Sequence, residues 1–214
     1  ADTLIEGEGH PVAQYRYGYG KQLFVATWNK LYRLDFLKKY KIRCQVGHFN
    51  EDPWFTYQVI INARSCRLLP DCTLRYTYNP QSVSGIAALK GYSEKIARQY
   101  VEIQQLKGRY IGSLSGEKFY RNLLVDIMEM SIYHAYRIGV SPQLSVTVKR
   151  ELQKALLAVT YVSPAWHSGG KFTVKYSLLH VFFALPMSLK RGMINFSGAL
   201  RVKERVRKWV HFKA

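Results

Sequence analysis

The stretch "WFTYQVII", residues 54–61, decides which fold the chain is given. Read at a period of two, Phe55, Tyr57, Val59 and Ile61 fall on one side, as in a strand with one buried face. Aromatic and β-branched side chains favour the same reading. Upstream, "YKIRCQVGHF" (40–49) sets Tyr40, Ile42, Cys44 and Val46 against Lys41, Arg43 and Gln45. Downstream, "CTLRYTY" (72–78) sets Leu74, Tyr76 and Tyr78 against Thr73, Arg75 and Thr77. Several antiparallel strands are therefore expected before residue 80.

The period lengthens beyond "NPQSVSG" (79–85), a Pro/Ser/Gly segment that marks the best internal boundary. In "YSEKIARQYVEIQQLKG" (92–108), Ile96, Tyr100, Ile103 and Leu106 share one helical face. Ser93 can cap that helix, Glu94 suits its positive end and Gly108 can close it. A second helix is expected from Glu117 to Ile138, with Leu123, Leu124, Ile127 and Met128 on its buried side. Alternation returns in "QLSVTVK" (143–149), "KFTVKYSLLHVFF" (171–183) and "MINFSGALRV" (193–202). Between them "ELQKALLAV" (151–159) fits a helix through Leu152, Leu156 and Val159, or a strand through its apolar end. The order predicts an α+β fold: a single compact domain, with antiparallel sheet and two central helices, over residues 21–214. Residues 1–20, Gly-rich and ending in "YRYGYGK", read as a mobile N-terminal arm. Its Tyr15, Tyr17 and Tyr19 are candidates for packing on a neighbouring copy.

Sixteen tyrosines, ten phenylalanines and four tryptophans in 214 residues, 48% of them hydrophobic, supply a core and exclude a disordered chain. Against 14 Asp and Glu stand 32 Lys and Arg, a net charge of +18. A surface so charged repels itself until a polyanion neutralises it, and RNA, DNA and anionic lipid all qualify. The longest strongly apolar run, "LLHVFFALPM" (178–187), is interrupted by His180 and is too short to span a bilayer. The opening "ADTLIEGEGH" is acidic and has no apolar core of a signal peptide. Cys44, Cys66 and Cys72 make an odd number without metal-ligand spacing, which fits a reducing compartment. Cys44 reads as a small buried hydrophobe, and Cys66 and Cys72 as loop residues.

Reactive constellations are not legible. GxSxG, HExxH, GxxxxGK[ST] and GxGxxG are absent, and "HSGGK" (167–171) has only two glycines before a lysine in common with a phosphate loop. The six histidines are scattered, and His167, in a loop, is the one residue that could be nominated as an acid or base. Asp126 and Glu129 read as a solvated acidic face. A non-enzymatic protein with no metal and no cofactor is the expectation.

The chain ends in "ALRVKERVRKWVHFKA" (199–214), where Glu204 alone opposes six basic residues. Extended, it would put Arg201, Lys203, Arg205 and Arg207 on one side. Helical, it would gather Val202, Val206 and Trp209 into a stripe. Lys208 beside Trp209 suits an interface between apolar and aqueous phases. "SLKRG" (188–192) adds Lys190 and Arg191. The candidate polyanion-binding set, for lipid or ribonucleoprotein, is thus Lys190, Arg191, Arg201, Lys203, Arg205, Arg207, Lys208 and Trp209, broadened if a sheet brings Lys171 and Lys175 alongside.

"YSEKIARQYVEIQQLKGRYIG" followed by "SGEKFYRNLL" resembles the central helices of rhabdovirus matrix proteins. The elements that match are Tyr92 and Ser93 at a helix start, Tyr110, Ile111 and Gly112 after it, and Phe119 and Tyr120 opening the next helix. "PWFTYQVII" and "KFTVKYSLLHV" are similar to flanking strands. About half the chain is covered. PPxY and PTAP motifs are absent, the opening arm is acidic instead of lysine-rich, and the link between early strands and helices is long. The resemblance implies a virion structural protein between envelope and nucleocapsid, encountered also in host cytoplasm or nucleus. Such a protein bridges nucleocapsid and anionic membrane, peripherally, and self-associates into an ordered assembly. Composition alone fits equally an RNA-scaffold protein bound to rRNA in a mitochondrial or other organellar ribosome.

Overall fold

The computed structural model describes residues 2–23, 26–48, 51–75, 77, 79–158 and 173–199. Of these, 62% are helical and 5% lie in strands, so the expected sheet-centred α+β fold gives way to a helical one with a single two-stranded ribbon. The strand β1 (Thr3–Glu6) pairs antiparallel with β2 (Ser65–Leu68), Leu4 opposite Arg67. The α1 turn (Pro11–Ala13) runs into a π-helical turn, Gln14–Gly18. There follow α2 (Leu34–Lys39), α3 (Glu51–Asn62), α4 (Val83–Lys90), α5 (Glu94–Tyr110), a 3-10 turn (Ile111–Leu114), α6 (Tyr120–Val140), α7 (Val146–Leu157), α8 (Thr173–Ala184) and α9 (Met187–Ala199).

The deciding stretch is a helix. In α3, Phe55, Thr56, Tyr57, Gln58, Ile60 and Ile61 are all buried, on every side of the element. A run this apolar satisfies a period of two and a period of 3.6 together, so alternation carried no information there. What favours the helix lies at its ends: Glu51 and Asp52 occupy the first turn, beside the positive end of the dipole, and Pro53 is tolerated there. The same degeneracy applies to "KFTVKYSLLHVFF", whose described part is α8, and to "MINFSGALRV", whose described part belongs to α9. "QLSVTVK" holds the start of α7, where the Ser145 hydroxyl accepts from Val148 N at 3.3 Å. The open stretch 151–159 continues α7 to Leu157, with Leu152 and Leu156 buried. The described part of "YKIRCQVGHF" is a helix end and turns: Ile42 is buried, Lys41 to Cys44 otherwise point outward, and Cys44 is exposed instead of buried. In "CTLRYTY" the described residues form no strand, and Cys66 lies in β2 instead of a loop.

The two central helices are present. Ser93 caps α5, its hydroxyl accepting from Ile96 N at 3.4 Å. Of the expected face Ile103 is buried, together with Ala97, Val101, Gln104 and Gly108, and Ile96 and Tyr100 are partly buried against the core. Four of the elements, α5, α7, α8 and α9, pack around α6, whose Leu123, Leu124, Ile127, Ala135 and Ile138 have no exposed surface. Gln153 of α7 is equally buried: its amide donates to Ala135 O (3.1 Å) and Asn195 Oδ1 (2.9 Å), tying α7 to α6 and α9. Gly91 links α4 to α5 at φ +83°, and a Cβ there would meet Ser141 Oγ at 2.9 Å, so glycine is required on both counts.

The N-terminal residues are part of this body. Val12, Ala13 and Tyr17 are buried in the core, His10 Nδ1 is hydrogen-bonded to Ile61 O at 2.6 Å, and the Asn122 amide donates to Tyr17 O. Expecting a mobile arm overlooked that Pro11, Val12, Ala13 and Tyr17 supply an apolar face at helical spacing.

Candidate assembly and polyanion surfaces

Of the candidate polyanion-binding residues, Arg201, Lys203, Arg205, Arg207, Lys208 and Trp209 lie outside the described residues, as do Lys171 and His167. Lys190 does not face solvent. It is 5% exposed, and its ammonium donates to Leu157 O (2.9 Å) and Phe183 O (3.0 Å), near the ends of α7 and α8. Burial pushes its pKa down. A cation at helix C-termini satisfies carbonyls that have no intrahelical donor, which makes Lys190 a clamp between elements and not a polyanion contact. Arg191 is half-buried and donates to Gln153 Oε1 at 3.3 Å, and Lys175 is paired with Glu129 at 2.6 Å. Sequence proximity grouped Lys190 and Arg191, whereas a helix aims neighbouring side chains about 100° apart.

The tyrosines of the arm divide similarly. Tyr17 is buried, and desolvation together with nearby Asp126 raises its pKa. Tyr15 packs on the core and Tyr19 alone is well exposed. These three residues are therefore not a common surface.

Two surfaces appear that the sequence did not disclose. One is the outer side of α8 and α9. Val174, Leu178 and Val181 of α8, and Leu189, Met193 and Phe196 of α9, are all exposed. Each triple repeats i, i+4, i+7, so each forms a stripe along its helix. Leu178 is 67% and Phe196 66% exposed, values far outside what an ordinary core stripe shows. Inner residues Tyr176, Phe183 and Ile194 hold both helices down. Between the two helices, over α6, runs an open apolar groove of about 340 Å³, lined by Ile132, Tyr133, Tyr136, Leu179 and Ile194, with Glu129 at its rim. The spacing was legible in the sequence, but a stripe of this kind is ordinarily the buried face.

The other surface lies between Leu31 and Val46. On α2, Phe36, Leu37 and Tyr40 turn inward, and Leu34, Lys38 and Lys39 turn outward. The helix closes with Lys41 N on Lys38 O (3.2 Å) and Ile42 N on Leu37 O (2.9 Å). These are the paired bonds of a Schellman motif, with Lys41 in the left-handed position at φ +52° and Ile42 buried behind it. The backbone that follows is fixed to α3 and α5: Gln58 donates to Arg43 O (3.4 Å) and Gln99 to Gly47 O (2.9 Å), and His48 Nε2 lies 3.1 Å from Glu102. Lys38, Lys39, Lys41 and Arg43 are exposed and make no ion pair among the described residues. In the same segment Leu31 and Leu34 are exposed, and Val46 is 95% exposed. The density of "KKYKIR" was visible in the sequence, but a strand reading sent Lys41 and Arg43 outward and Val46 into a core.

Inside the molecule the most perturbed titratable group is His134. Its ring stacks on Tyr100 at 3.9 Å, its Nδ1 is 3.2 Å from the Tyr92 hydroxyl, and Arg137 sits over Tyr92. Burial, with Lys107 and Arg137 adding to it, lowers its pKa to about 3. Lys107 is itself buried over the Tyr57 ring, and burial lowers its pKa too. Tyr92, Ser93 and Phe119, among the residues that carried the resemblance, are packing and capping residues. No helix among the described residues is long and apolar enough to cross a membrane. No family model, curated protein or solved structure matches this chain.

Proposed function

We propose that this is a structural protein of viral-matrix type, which associates with copies of itself through α8 and α9 and holds polyanions, ribonucleoprotein and anionic membrane, on its charged surfaces. "PWFTYQVII" and the described part of "KFTVKYSLLHV", both similar to strands of rhabdovirus matrix proteins, are helical here, so the proposal stands on surface physics instead of that resemblance. The observation that carries it is the character of the α8–α9 face. On a molecule of net charge +18, two copies repel except where charge is locally absent. Among the described residues of that face Lys175 is neutralised by Glu129, Arg191 is turned to Gln153 and Lys190 is buried, which leaves six exposed apolar side chains and a groove. Exposed apolar area of this kind marks an interaction site.

Sedimentation of the full chain over a range of concentrations tests this. The wild type forms oligomers, and Leu178→Asp with Phe196→Asp returns it to monomer without lowering its thermal midpoint, because both positions are already exposed. Oligomers unchanged by the double substitution would refute the assignment. A wild type that stays monomeric yet co-purifies with rRNA would favour the organellar RNA-scaffold reading.

A further inference from the structure

We infer that the segment from Leu31 to Val46 is an anionic-lipid site, in which Lys38, Lys39, Lys41 and Arg43 meet headgroup phosphates while Leu31, Leu34 and Val46 enter the acyl boundary. The inference rests on the matrix-type reading for its context, but uses a different surface. Three features converge on it. The four cations are exposed and lack carboxylate partners among the described residues. Along the chain the one acidic residue from Gly9 to Asn50 is Asp35, which Arg33 already pairs with at 2.7 Å, and of the acids packed against the segment Glu102 is engaged by Gln45 and His48, with Glu51 and Asp52 near Cys44. Lys41 occupies the left-handed C′ position, where glycine is the residue of least strain, so a charged side chain stands where stability alone would not place one.

The exposed aliphatic residues choose the partner. A nucleic-acid backbone offers phosphates to the lysines but nothing to Leu31 or Val46, whereas the boundary between headgroups and acyl chains accommodates both. The backbone is already held by the buried Ile42 and by the amides of Gln58 and Gln99, so the loop need not be ordered when it docks.

Flotation with vesicles of phosphatidylcholine, with and without phosphatidylserine, tests the site in the full chain. The wild type floats with the anionic vesicles only. Lys41→Gly weakens binding about fivefold, and replacing Lys38, Lys39, Lys41 and Arg43 together by Gln weakens it by about two to three orders of magnitude, at the usual contribution per surface cation. Leu31→Ser with Val46→Ser weakens vesicle binding but leaves binding to a single-stranded RNA oligomer unchanged. Wild-type flotation retained by the fourfold variant, or by the Leu31/Val46 variant, overturns the inference. So does a wild type that binds RNA through these four residues and ignores vesicles. Self-association is read separately by sedimentation. A chain that assembles but does not float removes only the lipid site, and one that floats through this segment but stays monomeric removes only the assembly reading.

Discussion

His134 illustrates how much of this interior is fixed by single side chains. Buried between Tyr92 and Tyr100 beside Arg137, it stays neutral in the folded protein down to a pH of about 3, whereas in the unfolded chain it takes up a proton near pH 6.5. With the folded value the lower one, the unfolded state binds more protons as the pH falls. The stability present above pH 6.5 is therefore lost progressively toward pH 3, by up to ~1.4 kcal/mol per pH unit. Chemical denaturation across that range should show the slope, and His134→Phe, which keeps a stacking ring, should flatten it; an unchanged slope would assign the acid sensitivity elsewhere. Lys190 gives a second residue-scale prediction. Lys190→Met removes two charge-assisted hydrogen bonds from carbonyls of α7 and α8 and should cost about 2 kcal/mol of unfolding free energy. Vesicle binding should not change, and if it fell with stability intact, the lysine would belong to a polyanion surface after all.

At the level of the elements, what was legible and what was not follows from composition. In α5 and α6 polar residues interrupt the apolar ones often enough for a period to show, and Ser93 announces one start, so both helices could be read directly. In α3 and α8 apolar residues are nearly continuous, and period, strand propensity and burial then all point both ways. The first-turn acids Glu51 and Asp52 carried the only local vote for a helix. The surfaces were less legible still. Val174, Leu178 and Val181 look like the inner face of any helix, and only the packing of Tyr176 and Phe183 onto the core turns them outward. The Schellman turn after α2 is the element on which stability and the proposed lipid binding part company. Lys41→Gly relieves a left-handed side chain and should raise the unfolding free energy by roughly 0.5–1 kcal/mol, read by denaturant titration. A loss of stability there would mean that Lys41 is held for the fold.

Across the whole molecule the charge is divided into territories. From Leu152 to the end the chain has eleven Lys or Arg and one acidic residue, Glu204, and from Gly9 to Asn50 it has eight against Asp35. The second territory carries exposed cations and exposed aliphatic residues in one segment, α2 with its flanking turns, tied to α3 and α5. α8 and α9 instead pack on α6, and the three cations they carry, Lys175, Lys190 and Arg191, are paired, buried and turned aside. Two surfaces of opposite character on different elements are what a protein needs to meet its own copies and a polyanion at once. The total charge was plain in the sequence, but which cations face solvent depends on helix phase and on partners far along the chain, such as Glu129 for Lys175.

The salt dependence of self-association separates an uncharged contact from an ionic one. Sedimentation velocity at rising ionic strength, without lipid or RNA, should show association strengthening as screening weakens the repulsion between copies of net charge +18, because the contact proposed for α8 and α9 is built on apolar side chains and not on ion pairs. Association that weakens steadily with salt, or none at any concentration, would contradict the assembly proposed for this face.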